Sequence, residues 1–167
     1  KSNYVEAHRS CISGVGEMVF GNMPRDGGYL SLNYQEKGVL VSSDSNSHRF
    51  VRRYFGSDEI VKGGVRYCLW IEDQDADQAS EIEGIRSRLR SVADMRASSS
   101  ATSTQAFSDR PHKFVQHPGV GTKSTIAVAG VSSEKRPYLP ADLLPKNSVI
   151  SNLAFAIFDP ETWLLAV

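Results

Sequence analysis

The sequence predicts an α+β fold: a mixed or antiparallel β-sheet with one main amphipathic helix and long polar loops. Three observations predict it. Short β-branched or alternating apolar runs recur along the chain, best in Val65-Arg66-Tyr67-Cys68-Leu69-Trp70-Ile71. One stretch alone repeats apolar residues at helical spacing, through Ile82, Ile85, Leu89 and Val92. Turn-forming and small polar residues separate these runs.

The elements follow in order. The first strand is expected over 16–20. The turn Asn22-Met23-Pro24-Arg25-Asp26-Gly27-Gly28 comes next, because Pro presets φ and Gly supplies positive φ. Tyr29-Leu30-Ser31-Leu32 alternates and reads as a strand, and Val39-Leu40-Val41 is a further short apolar run. His48-Arg49-Phe50-Val51-Arg52-Arg53-Tyr54-Phe55 mixes bases with aromatics, and Gly56-Ser57 breaks it. Residues 59–62 lead into the Gly63-Gly64 turn as one arm of a hairpin, with 65–71 as the other. Residues 78–95 form the helix. Arg86 and Arg90 share its solvent face, and its acidic start and basic end suit the macrodipole. The Ser/Thr/Ala-rich segment 98–104 is a linker or a loop that orders on a ligand. Short strands are expected at 113–115, 124–131 and 149–158.

At 167 residues the chain is one domain, long enough for a real core. Lys and Arg number 19 against 19 Asp and Glu, so bulk charge selects no partner. Its distribution does. From 84 to 136 nine cations (Arg86, Arg88, Arg90, Arg96, Arg110, Lys113, Lys123, Lys135, Arg136) face three acids (Asp94, Asp109, Glu134). A locally basic centre is the footprint of a phosphate-binding face, or alternatively a solvated helix face with charged loops. Cys11 and Cys68 lie far apart with no C-x-x-C spacing, so Cys68 reads as a reduced core residue. No signal peptide or membrane-length apolar run occurs, and a cytoplasmic location is expected. The absence of an initial Met and the apolar end Trp163-Leu164-Leu165-Ala166-Val167 suggest an excised fragment.

Catalytic patterns are missing. Gly14-Val15-Gly16-Glu17 lacks the strand before it and the acidic partner after it that a cofactor turn needs. Asp26, Glu36 and Lys37 do not have the spacing of a Mg²⁺-dependent nuclease. The histidines (8, 48, 112, 117) have no metal spacing, and Ser132 and Ser133 sit in no nucleophile elbow. A small hydrolase using Ser133 and a histidine is the weakest of the readings. The stretch Val131-Ser132-Ser133-Glu134-Lys135-Arg136-Pro137-Tyr138-Leu139-Pro140 instead offers side chains that read base edges and hold phosphates.

Several segments, in order, resemble the target recognition domain of MmeI-type restriction-modification DNA methyltransferases (types IIG and IIL). They are 20–30 (Phe20-Gly21-Asn22 through Tyr29-Leu30), Arg53-Tyr54-Phe55-Gly56-Ser57 with Arg66-Tyr67-Cys68-Leu69-Trp70, the segment 96–102, the stretch 132–140 and Ile150-Ser151-Asn152. The resemblance covers most of the chain. It implies a non-catalytic domain, here residues 1–167, that recognises a short asymmetric sequence in double-stranded DNA. Such a domain positions an adenine methyltransferase of the same chain, alongside a nuclease domain. S-adenosylmethionine and Mg²⁺ are then cofactors of the parent, and this fragment needs none.

The resemblance further implies two base-reading loops, near 96–102 and 130–136. The base-reading candidates are Ala97, Ser98 and Ser99 in the first and Gly130, Ser132, Glu134 and Arg136 in the second. Arg pairs with guanine and a carboxylate accepts from cytosine. On an extended segment Glu134 and Arg136 point to one face and read one C·G pair, or they pair with each other and shape the loop. The phosphate candidates are Arg86, Arg88, Arg90, Arg96, Lys113, Lys123 and Lys135, with Arg49, Arg52 and Arg53 in addition. The alternative function is a protein-interaction or scaffold domain without DNA readout.

Overall fold

The computed structural model describes residues 16–161. In chain order the strands are β1 (Val19–Phe20), β2 (Ser31–Leu32), β3 (Val51–Phe55), β4 (Arg66–Leu69), β5 (Ser124–Ala129), β6 (Ala141–Pro145), β7 (Val149–Ile150) and β8 (Ala154–Phe158). The helices are α1 (Tyr34–Ser43), α2 (Ser57–Lys62), α3 (Ala76–Glu81), α4 (Glu83–Ala97) and α5 (Thr102–Gln105). The α+β class is as expected, with strands outnumbering helices and α4 the longest helix.

The strands form two sheets. One has the order β1-β8-β5-β6 and is antiparallel throughout. The other has the order β2-β4-β3-β7, with β3 and β7 parallel. The apolar run expected as a single strand over 149–158 is split between them. A turn after Ile150 carries the chain from β7 in one sheet to β8 in the other. The chain also crosses after β1, β4 and β6. The crossings after β1 and β7 lie side by side, with Asn22 bridged to Ser151.

The larger core lies between the second sheet and the helices. Ile85, Leu89 and Val92 of α4 are buried with Leu30, Leu69, Trp70 and Phe114. Full burial of each such aliphatic side chain contributes about 1.5–3 kcal/mol. A smaller core of Ala127, Leu144, Ile150, Ala154 and Ala156 underlies the first sheet.

Several expected elements differ. Residues 59–62 belong to α2 and form no hairpin arm. The Gly56 amide donates to Glu59 Oε2 (2.7 Å). Asp58 and Glu59 sit in the first turn, where the macrodipole favours acids, and Gly63 at φ 74° ends the helix. β4 pairs antiparallel with β3 instead, and α2 lies in the connection between them. Val39-Leu40-Val41 lies in α1, which begins at a reciprocal Asn33–Glu36 capping box. The helix expected over 78–95 breaks at Ile82, whose extended backbone (ψ 113°) buries its side chain between α3 and α4. Residues 98–104 enter α5, with Thr104 buried. Residues 113–115 form no strand. Phe114 instead packs against Trp70, centroids 5.2 Å apart. The exposed strand β6 carries no apolar alternation and was not expected. Cys68 is buried and free, and burial pushes its thiol pKa up. Cys11 and Trp163 lie outside the described residues.

Candidate nucleic-acid interface

The first loop begins where α4 ends. Ala97 is the last helical residue, and the Ser98 hydroxyl donates back to the Met95 carbonyl (3.0 Å). The Ser99 hydroxyl accepts from the Ala101 amide (3.2 Å). Arg96 corrects the expected phosphate set. It is 0% exposed, and its guanidinium donates to five carbonyls: Pro24 (2.7 Å), Arg25 (3.0 Å), Phe107 (3.0 Å), Arg110 (2.9 Å) and Lys113 (2.8 Å). All five N–H groups are thereby used, so none is left for a phosphate. Burial lowers its pKa, and nearby Asp26 opposes that shift. Arg96 therefore ties the 24–25 turn and the 107–113 segment to the base of the loop.

The second loop leaves the end of β5. Its amides at Gly130 and Val131 bond to the Ser57 hydroxyl (2.9 and 3.2 Å). Residues 131–139 are exposed. The 130–136 segment is not extended. The Arg136 amide bonds to the Ser133 carbonyl (3.0 Å) and closes a turn, so strand-like alternation does not set where Glu134 and Arg136 point. Among the described residues no ion pair joins these two side chains. Arg136 Nη2 instead lies 3.4 Å from the Val61 carbonyl of α2.

The segment between β1 and β2 links the loops. The Gly21 amide bonds to Ala154, next to Leu153, whose carbonyl accepts from Gly130 (3.1 and 3.2 Å). Four residues on, the Arg25 guanidinium bonds to the Ser103 hydroxyl (2.8 Å). Four residues of chain span at most about 14 Å. Residues 21–25 thus contact the turn that holds Gly130 and, through the Arg25 side chain, the helix α5 that follows the first loop.

The remaining cations are unequal. Arg88 turns inward to the Tyr29 carbonyl (2.9 Å) and Glu36 (2.8 Å), and Arg86 pairs with Glu83. Lys113, Arg110 and His112 converge on Asp73 (2.5, 2.9 and 2.8 Å). These donors, Lys113 first, hold the Asp73 carboxyl well below its usual pKa. Arg90, Lys123 and Lys135 are exposed. Asp26 and Glu36, weighed above as nuclease ligands, are structural: Asp26 accepts the Leu30 amide (2.5 Å) and Glu36 caps α1. Arg52 lies 5.2 Å from the Trp70 ring centre, on which His117 stacks at 4.5 Å, and burial lowers the pKa of both groups.

A basic concavity of about 400 Å³ opens between the start of β3 and the β6–β7 turn, lined by His48, Arg49, Arg52, Arg53 and Lys146 among others. Among the described residues no acid lines it. Of its cations, Arg49 is already paired with Asp75 (2.9 Å). Sequence reasoning missed Lys146, which lies in a polar turn with no motif around it. It reads Ser57 only as part of a chain break and a family segment, with no contact assigned to it.

Two sheets, a helix whose last turn is pinned by the buried Arg96, and the two polar segments 96–102 and 130–136 frame the candidate residues. The chain belongs to the MmeI target recognition domain family, whose model matches residues 1–167. It is 31% identical over 163 residues to DNA methyltransferase A of Bacillus subtilis (strain 168), covering 98% of this chain and 18% of that protein. Its fold is similar to that of the type IIL restriction-modification enzyme MmeI, solved in complex with DNA. The TM-score is 0.87 with 26% identity, over 95% of this chain and 21% of that one. The chain thus spans about a fifth of the length of these relatives.

Proposed function

We propose that this domain reads a short asymmetric sequence in double-stranded DNA and positions an adenine methyltransferase domain of the same parent chain. The observation that carries the reading is the match to MmeI, a protein solved with DNA, along nearly the whole chain. Loop 130–136 supplies the chemically specific readers, with Glu134 accepting from cytosine and Arg136 donating to guanine. Gly130 and Ser132 flank them. Ala97, Ser98 and Ser99 are short, and they set how closely the first loop approaches the base edges. Arg90, Lys123 and Lys135 supply phosphate contacts, which add affinity and salt dependence but no sequence choice. Arg86, Arg88 and Lys113 reach a phosphate only by leaving their present partners.

The parent works in the cytoplasm and carries a nuclease domain as well. S-adenosylmethionine serves its methyltransferase domain and Mg²⁺ its nuclease domain. Among the described residues no group of three or more His, Cys, Asp or Glu side chains is arranged to hold a metal ion. A target adenine must leave the stack before methylation, and that pocket belongs to the other domain.

The test is a salt series of the full-length protein binding duplex DNA, with a map of methylated adenines in cells that express it. Affinity that falls with salt and one asymmetric methylated motif are expected. Binding indifferent to both salt and sequence would overturn the proposal and favour a protein-interaction domain.

A further inference from the structure

Three of the sequence segments that carried the family resemblance converge on one small polar knot, and the function described so far does not use it. Gly21 and Asn22, Gly56 and Ser57, and Ser151 and Asn152 meet where the chain crosses between the sheets. Asn22 is fully buried, and its side-chain amide bonds to the carbonyls of Gly119 (2.9 Å) and Ile150 (3.1 Å). The Ser151 amide bonds to the Phe55 carbonyl (2.7 Å), and the Asn152 amide to the Asn22 carbonyl (3.0 Å). The strands approach so closely that a Cβ on Gly21 would stand 2.3 Å from the Ser151 carbonyl oxygen. A Cβ on Gly130 would stand 2.8 Å from that of Leu153.

Ser57 is the member of the knot that touches a reading loop. It is 8% exposed, and its hydroxyl donates to the Leu153 carbonyl while accepting the amides of Gly130 and Val131 (2.9 and 3.2 Å). One donor and two acceptor positions are the full capacity of a hydroxyl. Both acceptor positions go to the backbone where β5 becomes the loop, and the donor goes to the turn between β7 and β8. Beyond Val131 the loop is exposed, so its aim depends on how this root is held. A binding constellation works only within about 0.5 Å and 10–20° of its productive geometry.

We propose that Ser57 is a positioning residue for sequence readout. It fixes the direction in which residues 132–136 enter the groove, although it contacts no base itself. The inference rests on the function proposed above.

The experiment uses the full-length protein with Ser57→Ala, Ser57→Thr and Ser57→Cys, and Glu134→Ala as a control. Affinity is measured for cognate duplexes, duplexes changed at one base pair, and unrelated duplexes. Ser57→Ala should lower discrimination about tenfold at the base pair that Glu134→Ala also affects. Binding to unrelated DNA should stay within about twofold. Ser57→Thr, which keeps the hydroxyl, should restore discrimination. If Ser57→Ala does not fold, Ser57→Cys decides, since it leaves no cavity and its sulfur is a weak donor and acceptor. Full discrimination in a variant lacking the hydroxyl would overturn the inference. So would a parallel loss of cognate and unrelated binding that threonine does not rescue. If Glu134→Ala changes discrimination at no position, the base-reading assignment itself has failed, whatever Ser57 does.

Discussion

The guanidinium of Arg96 bonds to the backbone of Arg25 (Nε to O, 3.0 Å), while the guanidinium of Arg25 bonds to Ser103 just beyond the helix that carries Arg96. The two arginines thus clasp the 23–26 turn to the first loop from opposite directions. Arg25 is held at φ 46°, a left-handed conformation that costs a non-glycine residue about 1–2 kcal/mol. The five bonds from Arg96 offset that strain.

Arg96→Ala should therefore destabilise the domain by about 3–5 kcal/mol, because hydrogen bonds to a charged group are worth about 1.5–3 kcal/mol each and buried carbonyls are left unpaired. Arg96→Lys should recover less than half, since an ammonium cannot match a planar five-donor fork. Urea unfolding checks both. A normal midpoint with a shallower salt dependence of DNA binding would instead return Arg96 to the phosphate-binding group.

Arg136 and Lys135 are neighbours with different expected roles. Arg136→Ala should cost on the order of 1–3 kcal/mol at one base pair and relax the motif there. Lys135→Ala should weaken all sequences alike and reduce the salt slope by about one. Competition binding over single-base variants of the motif separates the two. Equal weakening of all sequences by Arg136→Ala would remove it from the readers.

The contrast between Arg96 and Arg136 shows what the sequence made legible. Class, main helix and best strand could be read because Ile85, Leu89 and Val92 keep helical period and the Tyr67 region is dense in strand formers. Local basic charge could be counted, but not its burial. Arg96 looks like its neighbours Arg86 and Arg90, and only the tertiary meeting of residues 24–25 and 107–113 makes it internal. Strand β6 was missed because its Ala-Asp-Leu-Leu-Pro sequence has no alternation and lies at a sheet edge. The break at Ile82 was missed because an extended residue between two helical turns leaves the apolar spacing nearly intact. Ser57 and Asn22 carried motif identity, but the contacts of Asn22 span about 97 to 128 residues of sequence.

Asp159 gives a pH-dependent check on the other end of β5. Its carboxylate accepts the Lys123 amide (2.7 Å), the Thr122 amide (3.1 Å) and the Thr122 hydroxyl (2.8 Å). These bonds, the Lys123 amide first, lower its pKa to about 2. The unfolded value is about 3.9. A depressed folded pKa means that the contribution is full above the unfolded value and fades as pH falls through about 4 to 2. The difference in thermal midpoint between wild type and Asp159→Asn should be constant above about pH 5 and shrink toward pH 2. A difference independent of pH would show that the carboxylate charge plays no part in anchoring the start of β5.

The basic concavity lies near the start of β5, and the 130–136 loop leaves its other end. Lys146 follows Pro145, which pairs with Ser124 at the first residue of the strand. Five residue steps of strand separate Ser124 from Ala129, about 17 Å at 3.4 Å each. That is the length of about five base pairs along a duplex. A phosphate held by Arg53 and Lys146 would therefore lie outside the bases read by the loop and lengthen the contacted backbone. Replacing both with Ala in the full-length protein should flatten the plot of log affinity against log salt by about 0.9 per lost contact. The methylated motif should not change, because phosphates carry no base identity. A slope equal to that of the wild type, with the variant folded, would exclude the concavity from the DNA contact. A changed motif with an unchanged slope would instead mean that these two cations act on the readout loops.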